Sequence, residues 1–316
     1  MTPEQIRDAI PRLSALVVGD ICLDRWCYYD PALSEPSRET GIPRLAVVET
    51  VVTPGAGGTI ANNLVSLGVK RLATLGVYGE DGHGSELLRA LSARGVDARL
   101  MVNSGGVATF TYTKLINRST GREDVPRVDF VNTSPLPAEA EQSVLAHLRE
   151  AAGDFDVVFV SDQAETDSGG VITPRVRELL SGLARGNPRQ TFLADSRKRI
   201  HLFRDLPVKP NRDEAAEACR GLFGEIDYAR LRSQIRAPLM FVTLGPDGAL
   251  VVDEHGECRV EGARVEEPAD ICGAGDSFAA GAALALAAGA SPAEAAAFGN
   301  RIASIAITTS LATRFR

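Results

Sequence analysis

Short apolar runs rich in β-branched residues alternate along the chain with longer segments of helical periodicity. The apolar runs predict buried strands at Ala15–Val18, Arg71–Val77, Val157–Val160, Thr191–Ala194 and Met240–Leu244. Helices are predicted between them, with Ser, Thr, Asp, Pro or Gly at several ends, at 85–94, 138–151, 174–185, 213–222 and 292–308. This alternation predicts an α/β fold in which helices cover a mainly parallel sheet.

Two segments, 26–53 and 105–131, interrupt this alternation and have no helical periodicity. Both are rich in Thr, Val and Tyr, and both follow early strands. They predict extended strands that pair into a small accessory β-sheet and cover the ligand cleft as a lid. Plain surface hairpins are the alternative interpretation. No repeat or clear linker divides the sequence, so we predict a single domain over residues 1–316.

The composition is that of an ordinary globular protein with small ligands. Of the 316 residues, 44% are apolar and 24% are charged, and the formal net charge is −7. Interspersed acids and bases with a negative balance argue against a nucleic-acid partner or an anionic membrane surface. The five cysteines include no Cys-x-x-Cys pair, the four histidines are scattered, and no apolar run predicts a membrane span. We therefore expect a cytoplasmic protein without a disulfide framework or a zinc site.

A small-residue turn, an acid and an apolar helix follow one another in the segment 270–281. Gly273, Ala274 and Gly275 carry almost no side chain, so their backbone N–H groups suit an anion at the positive end of a helix. Asp276 then falls in the first helical turn, where a carboxylate can take the proton of a hydroxyl that attacks phosphorus. The alternative is a glycine turn that only starts a core helix.

Two earlier segments also suit a ligand crevice. Asp24 follows the first strand, at the edge where open α/β sheets bind ligands, and its carboxylate suits two vicinal sugar hydroxyls. The glycine cluster at 54–58 precedes a helix that ends at Leu67, and its backbone allows a polyol to approach closely. The alternative for this cluster is a tight turn with Thr59 as the N-cap residue.

A polar pair lies three residues apart after the strand-like segment 206–209. Asn211 and Glu214 open a predicted helix and share one face, where they can orient waters around a magnesium ion that bridges nucleotide phosphates. The same spacing is equally a helix-capping arrangement. The next segment, 242–248, predicts a strand, a glycine turn and a second strand. This unit either borders a nucleotide or is only a hairpin.

These segments, in this order, resemble the ribokinase-like family of carbohydrate kinases, also called the PfkB family, over nearly the whole chain. The most specific likeness is to the signature Asp-Thr-x-Gly-Ala-Gly-Asp-x-Phe-x-x-Gly, which reads Asp-Ile-Cys-Gly-Ala-Gly-Asp-Ser-Phe-Ala-Ala-Gly from Asp270. The resemblance implies a three-layer α/β/α fold with a small β-sheet lid. It also implies an enzyme that uses ATP and Mg²⁺.

The resemblance implies roles for individual residues. Asp276 is expected to be the base, and the backbone of Gly273, Ala274 and Gly275 the anion hole. Water-mediated contact with magnesium is expected from Asn211 and Glu214. The residues expected to border the nucleotide are Asn211, Glu214, Thr243, Gly245 and Asn300. The residues expected to hold the acceptor sugar are Asp24, Gly57, Gly58, Thr59 and Asn63.

Within the family, the chain looks most like the branch that phosphorylates heptose 7-phosphate at its anomeric hydroxyl. The opening segment 18–26, the segment 113–115 and the segment 127–130 carry this likeness. Lys114 and Arg127 are cations that suit a substrate phosphate, with ordinary surface charge as the alternative. Thr59 stands where the family has a sugar-binding Asn. Because a hydroxyl cannot replace the paired donor and acceptor of an amide, the pattern of sugar hydroxyls that is recognised should differ.

The sequence therefore predicts an ATP-dependent sugar kinase that acts on a sugar or sugar phosphate. Within the same fold, the alternatives are a heptose 7-phosphate 1-kinase specifically, a nucleoside kinase, or a sugar-binding regulator without catalytic activity. Because the lid of this family often pairs two subunits, we predict a homodimer through the lid.

Overall fold

The computed structural model describes residues 1–263, 265 and 272–308. Its strands within these residues are β1 (Ser14–Gly19), β2 (Ile21–Tyr29), β3 (Val47–Ala56), β4 (Arg71–Leu75), β5 (Val77–Gly79), β6 (Val102–Ser104), β7 (Thr111–Asn117), β8 (Arg122–Glu123), β9 (Val128–Phe130), β10 (Val157–Asp162), β11 (Thr191–Ser196), β12 (Met240–Thr243), β13 (Ala249–Asp253) and β14 (Gly256–Val260). Its α-helices there are α1 (Pro3–Ala9), α2 (Gly57–Leu67), α3 (Gly82–Ala93), α4 (Ala138–Ala151), α5 (Pro174–Gly186), α6 (Arg212–Phe223), α7 (Tyr228–Gln234), α8 (Ala274–Ala287) and α9 (Pro292–Thr308).

The main sheet has the order β4-β1-β10-β11, in which all neighbours are parallel. Val208 extends it by single parallel bridges to Ala194 of β11 and Met240 of β12, and the antiparallel strands β13 and β14 follow. The predicted mainly parallel sheet is confirmed. Because parallel strands end at one edge, the carboxyl ends of β1, β10 and β11 lie side by side.

Both faces of this sheet are covered. Along β1, Leu16 and Val18 pack in one hydrophobic cluster with α4 and α5, whereas Ala15 and Val17 pack in a second cluster with α2 and α8. All four side chains are fully buried. Alternate residues of a strand point to opposite faces, and this explains why the run is apolar throughout instead of alternating with polar residues.

The second sheet combines residues from both segments that interrupt the α/β alternation. It has the order β3-β2-β7, with β8 and β9 paired to β7. Strand β2 is antiparallel to β3 and parallel to β7. We call this sheet the lid sheet. This sheet begins before the predicted boundary at residue 26, because β2 starts at Ile21. Only Asp20 separates β2 from β1.

The predicted strands and helices are confirmed, with a few differences. The run Arg71–Val77 divides into β4 and β5 at Gly76, where a Cβ would lie 2.6 Å from the carbonyl oxygen of Gly19. In the strand-like segment 206–209 only Val208 forms ladder bridges. The short helices α1 and α7 were not predicted, since seven residues each give too few turns for a periodic signal. Within the described ranges, no helix is both long and apolar enough to cross a membrane.

Candidate active site

Two cavities meet at the N-terminal end of α8. The first, of about 790 Å³, lies between the lid sheet, α2, α8 and α9, and we call it the lid cavity. The second, of about 470 Å³, lies beside the start of α6 and the end of β12, and we call it the outer cavity. The residues that line both are Gln163, Arg197, Gly273 and Asp276. A group that passes from one cavity to the other must therefore pass these four residues.

The predicted small-residue turn forms the start of α8. Gly273 precedes the helix with a φ of +75°, a left-handed conformation that glycine adopts without strain, and no described side chain caps this helix end. The hydroxyl of Ser277 donates to the carbonyl oxygen of Gly273 at 2.9 Å. Asp276 lies in the first turn, and the helix beyond it is buried, as predicted. Asp270 and Ile271, the first two residues of the signature, lie outside the described residues.

The carboxylate of Asp276 is poised to exchange a proton near neutrality. Burial raises the pKa of Asp276 to about 7, and the charge of Asp195 adds to this effect. The cations Lys209 and Arg197 act in the opposite direction on the pKa and keep the rise smaller than burial alone would give. A base whose pKa is close to the working pH is largely unprotonated and still binds a proton strongly, and both properties are needed for proton transfer.

A buried ion pair lies next to this helix start. Lys209 Nζ is 3.0 Å from Asp195 Oδ2, and a Cβ built on Gly275 would lie 3.6 Å from the same nitrogen. Lys209 is only 3% exposed, and both residues line the outer cavity. The pair therefore places a lysine together with its neutralising carboxylate beside the predicted anion hole, and the sequence pattern did not predict it.

Asp24 points into the lid cavity from β2. Its carboxylate lies against the backbone of Gly55 on the neighbouring strand β3, where a Cβ would be 2.4 Å from the Asp24 carboxyl carbon. Burial raises the pKa of Asp24 to about 6, against the lowering effect of Lys114 and Arg127. A partly desolvated carboxylate of this kind is a strong acceptor for hydroxyl groups.

Helix α2 supplies amide groups to the same cavity. Asn63 lines it, and Asn63 Oδ1 lies 3.2 Å from the Ser277 hydroxyl, whose single proton is shared with the closer carbonyl oxygen of Gly273. The buried Asn63 Nδ2 has no partner among the described residues. Asn62, which was not predicted, also lines the cavity, and its Nδ2 donates to Thr53 Oγ1 and to the carbonyl oxygen of Pro54, each at 3.1 Å. A buried donor without a partner is costly, so Asn63 favours a polar ligand.

The glycine cluster has a different role at each position. Gly57 and Gly58 are buried in the first turn of α2, where a Cβ would meet Ile21 at 2.7 Å and Pro54 at 2.4 Å respectively, and neither lines the lid cavity. Thr59 does line it. The alternative that Thr59 is the N-cap residue is wrong, because the N-cap residue is Ala56, with a φ of +52°.

The predicted phosphate-binding cations also line the lid cavity. Arg127 stacks over the ring of Tyr112 at 4.9 Å from its centroid and pairs with Asp129 at 2.7 Å. The Lys114 side chain has no hydrogen bond or ion pair within the described ranges, although its charge lowers the pKa of Asp24. One cation is thus held by neighbours, and the other is available to a ligand.

The predicted metal and nucleotide residues line the outer cavity, namely Asn211, Glu214, Thr243 and Gly245. Asn211 and Glu214 form the capping box of α6, since Asn211 Oδ1 accepts from Glu214 N at 2.9 Å and Glu214 Oε2 accepts from Asn211 N at 2.7 Å. Burial and the charge of Asp195 raise the pKa of Glu214 to about 6. The capping alternative is therefore correct, and it leaves Glu214 facing the cavity.

Asn300 has a different position from the other predicted residues. It is 8% exposed, lines neither cavity, and donates from Nδ2 to the carbonyl oxygens of Val260 at 3.2 Å and Glu261 at 3.0 Å. Its visible role is to hold the end of β14 against α9.

Several residues of the site were missed at the ends of strands. Gln163 follows β10, whereas Asp195 and Arg197 fall at the end of β11 or just after it. The predicted strand positions, together with the rule that ligands bind at the carboxyl edge of parallel strands, were the signal that would have found them. Asp20 fixes this edge, because its buried carboxylate accepts backbone hydrogen bonds from Gln163 at 2.7 Å, Ala164 at 2.8 Å and Val171 at 2.8 Å.

Comparison with known proteins gives the family. The model described as pfkB family carbohydrate kinase matches residues 14–315, so the chain belongs to the pfkB family of carbohydrate kinases and is an enzyme of that class. The chain is similar to the bifunctional protein HldE of a Caulobacter species, with 33% identity over 308 residues that cover 93% of this chain and 59% of that protein. It spans about three fifths of the length of the curated relatives it matches.

Solved structures share the fold. Phosphofructokinase-2 from Escherichia coli in complex with fructose-6-phosphate is similar with a TM-score of 0.69 and 20% identity, and the match covers 93% of this chain and 94% of that one. Ribokinase from Arabidopsis thaliana complexed with ribose and ATP gives a TM-score of 0.65 and 17% identity, covering 94% and 93%. The predicted ribokinase-like α/β fold is confirmed.

Proposed function

We propose that this protein transfers the γ-phosphoryl group of ATP to a hydroxyl of a sugar or sugar phosphate, with Asp276 as the general base. The observation that carries this proposal is that Asp276 lines both cavities while its pKa is raised to about 7. The acceptor occupies the lid cavity and ATP occupies the outer cavity. The reaction then takes place at the junction, beside the start of α8, which no described side chain caps.

The lid cavity suits an acceptor that carries a phosphate. Its lining has the carboxylates of Asp24 and Asp276 for hydroxyl groups, and it has the cations Arg25, Arg94, Lys114, Arg127 and Arg197. Among the described residues, Arg25, Arg127 and Arg197 already pair with carboxylates, whereas the Lys114 side chain has no such partner. A phosphate therefore suits Lys114 better than a neutral sugar does. A sugar phosphate is also the acceptor of the heptose 7-phosphate branch that the sequence resembles.

Magnesium fits the outer cavity as a partner of the nucleotide. The half-buried carboxylate of Glu214 and the carboxylate of Asp195 line this cavity and offer oxygen acceptors to the waters of an ion that prefers oxygen ligands. Among the described residues no group of three or more His, Cys, Asp or Glu side chains could hold a metal ion alone. Water and phosphate would complete the shell, with Asn211 and Glu214 orienting the waters. When bound, the ion neutralises charge on the phosphates.

The chain's own residues perform the remaining chemistry. Asp276 accepts the proton of the acceptor hydroxyl as its oxygen forms a bond to phosphorus, and the bond from phosphorus to the ADP oxygen breaks. The amides of Gly273, Ala274 and Gly275 bind the negative charge of the transferring group. Positioning and electrostatic stabilisation thus supply most of the rate, as in phosphoryl transfer generally.

The lid sheet suits a second copy of the chain. Large apolar side chains are exposed on β3 and β9 or just before β3, namely Leu45, Val47, Val48, Val128 and Phe130. Exposed apolar groups on the strands of one sheet favour an interface, so a homodimer through the lid is part of the proposal. A monomeric mass by light scattering at micromolar concentration would contradict it. All five cysteines lack a disulfide in the described structure, in keeping with a cytoplasmic location.

An ATP-consumption assay over pentoses, hexoses, heptoses and their phosphates tests the function, with Asp276→Asn as the diagnostic variant. We expect turnover with a sugar phosphate, and we expect Asp276→Asn to lower kcat by about a hundredfold or more with little change in ATP affinity. Near-normal kcat in Asp276→Asn would refute the role of this base. Turnover on adenosine only would indicate a nucleoside kinase, and sugar binding without turnover a regulator.

A further inference from the structure

Arg197 is the one cation among the described residues that line both cavities. The other residues that line both cavities are Gln163, Gly273 and the proposed base, Asp276. A side chain with this position is close to the acceptor before transfer, to the donor phosphates, and to the phosphoryl group between them. The family signature does not contain it, and the sequence pattern did not single it out.

The backbone of Arg197 is held firmly. Arg197 N donates to the carbonyl oxygen of Asp162 at 3.1 Å, and the neighbouring Ser196 hydroxyl donates to Asp162 Oδ2 at 2.6 Å. Arg199 pairs with the same fully buried carboxylate, and its Nη2 donates to Asp162 Oδ1 at 2.7 Å. The strand end that carries Arg197 is therefore rigid, as a group that must meet a reacting atom requires.

The side chain of Arg197, in contrast, has an exchangeable partner. Its Nη1 donates to Glu165 Oε1 at 2.5 Å, and the two side chains are 51% and 49% exposed. An ion pair so open to solvent contributes little, so a phosphoryl oxygen can replace the Glu165 carboxylate at small cost. The other cations at the junction are committed elsewhere, since Lys209 is buried against Asp195 and Arg127 lies in the lid cavity only.

We propose that Arg197 is a further catalytic residue, which leaves Glu165 and binds the γ-phosphoryl group during its transfer. This inference rests on the proposed function. Arg197 forms no covalent bond and exchanges no proton, because the acceptor oxygen displaces ADP and the proton goes to Asp276. Its planar guanidinium pairs with two phosphoryl oxygens, whose charge is greatest as the group moves. The charge of Arg197 acts to lower the pKa of Asp276 at the junction, of Tyr112 in the lid cavity and of Glu214 in the outer cavity.

Steady-state kinetics of Arg197→Ala test this inference, with Arg175→Ala as the matched control. Arg175 also pairs with a glutamate, Glu141 at 2.7 Å, and lines neither cavity. We expect Arg197→Ala to lower kcat by about a hundredfold or more with KM values for ATP and acceptor changed by less than about threefold. Added guanidinium at non-denaturing concentration should restore part of kcat. The control should keep wild-type kinetics.

The outcomes separate this inference from the proposed function. A raised acceptor KM with unchanged kcat would mean that Arg197 only binds the acceptor phosphate, and it would overturn the inference. Loss of kcat that guanidinium does not restore, together with a lowered melting temperature, would indicate a structural role and overturn it as well. A wild-type protein that consumes no ATP with any sugar would overturn both proposals.

Discussion

Lys209 Nζ lies 3.0 Å from Asp195 Oδ2, and both side chains are buried beside the first turn of α8. The two residues end different strand-like segments, and the fold alone brings them together. Neither charge is well solvated, so each depends on the other. The pair therefore links the stability of the protein to the charge at its proposed anion hole.

Replacement of Lys209 by Met should destabilise the protein by about 3–5 kcal/mol, because it leaves the buried Asp195 carboxylate without a partner. Chemical denaturation measures this free energy of unfolding. The double variant Lys209→Met with Asp195→Leu removes both charges and should recover most of the loss. Equal stability of the single variant and the wild type would mean that the pair is not coupled.

The activity should depend on pH through Asp276. Only the ionised carboxylate accepts a proton, and its pKa is raised to about 7. The kcat/KM for the acceptor should therefore rise by about tenfold per pH unit below that value and level off above it. Under conditions in which Lys209→Met is folded, the midpoint of its pH–activity profile should lie at higher pH than that of the wild type, because Lys209 lowers the pKa of Asp276. A profile that is flat between pH 5 and 8 would contradict this assignment.

The same group makes folding depend on pH, in the direction that a raised pKa requires. Protonated Asp276 stabilises the folded state fully below its ordinary pKa of 3.8, and this stabilisation is lost as the pH rises through about 7. The melting temperature of Asp276→Asn should therefore exceed that of the wild type more at pH 8 than at pH 5. An equal difference at both pH values would count against the raised pKa.

Gly55→Ala should impair acceptor binding selectively. A Cβ at this position would lie 2.4 Å from the carboxyl carbon of Asp24, so the carboxylate must move out of place. We expect the KM for the acceptor to rise by roughly tenfold to a hundredfold while ATP affinity stays constant. Gly182→Ala is the control, since apart from its chain neighbours and the backbone of its own helix no described atom lies within 4 Å of the added Cβ. An unchanged acceptor KM would show that Asp24 does not bind the sugar.

Ala56→Gly should stabilise the protein. Ala56 has a φ of +52° and a ψ of −118°, a conformation that suits glycine, so its methyl group stores strain. We expect a gain of about 1 kcal/mol in the free energy of unfolding. Ala90→Gly within α3 is the opposite control, and it should lose roughly 0.5–1 kcal/mol. A loss at both positions would indicate that Ala56 is not strained.

Much of the site could be predicted because its residues belong to local motifs. The turn at Gly273 and the position of Asp276 in the first turn of α8 follow from small residues before an apolar helix. Asn211 and Glu214 were found because their spacing matches both a helix cap and a ligand pair, and they serve visibly as the cap. Local spacing cannot tell which of these uses applies.

Other residues escaped prediction because their partners are distant in sequence. The end of a predicted strand puts Arg197 at the ligand edge, but only the fold shows that it borders two cavities, and nothing near Lys209 indicates a buried pair. Gly57 and Gly58 were expected to face a sugar, yet they allow α2 to pack against Ile21 and Pro54. Which side of a turn a residue faces depends on the element packed against it.

The sequence by itself determined the alternating strands and helices, the mainly parallel sheet and the motif around Asp276, since periodicity and turn chemistry act over a few residues. The tertiary structure alone decided that two cavities meet at this acid, that Asp195 and Lys209 neutralise each other there, and that Asp24 rests on Gly55. These relationships join the ends of separate strands. They arise only when the parallel sheet brings those ends to one edge.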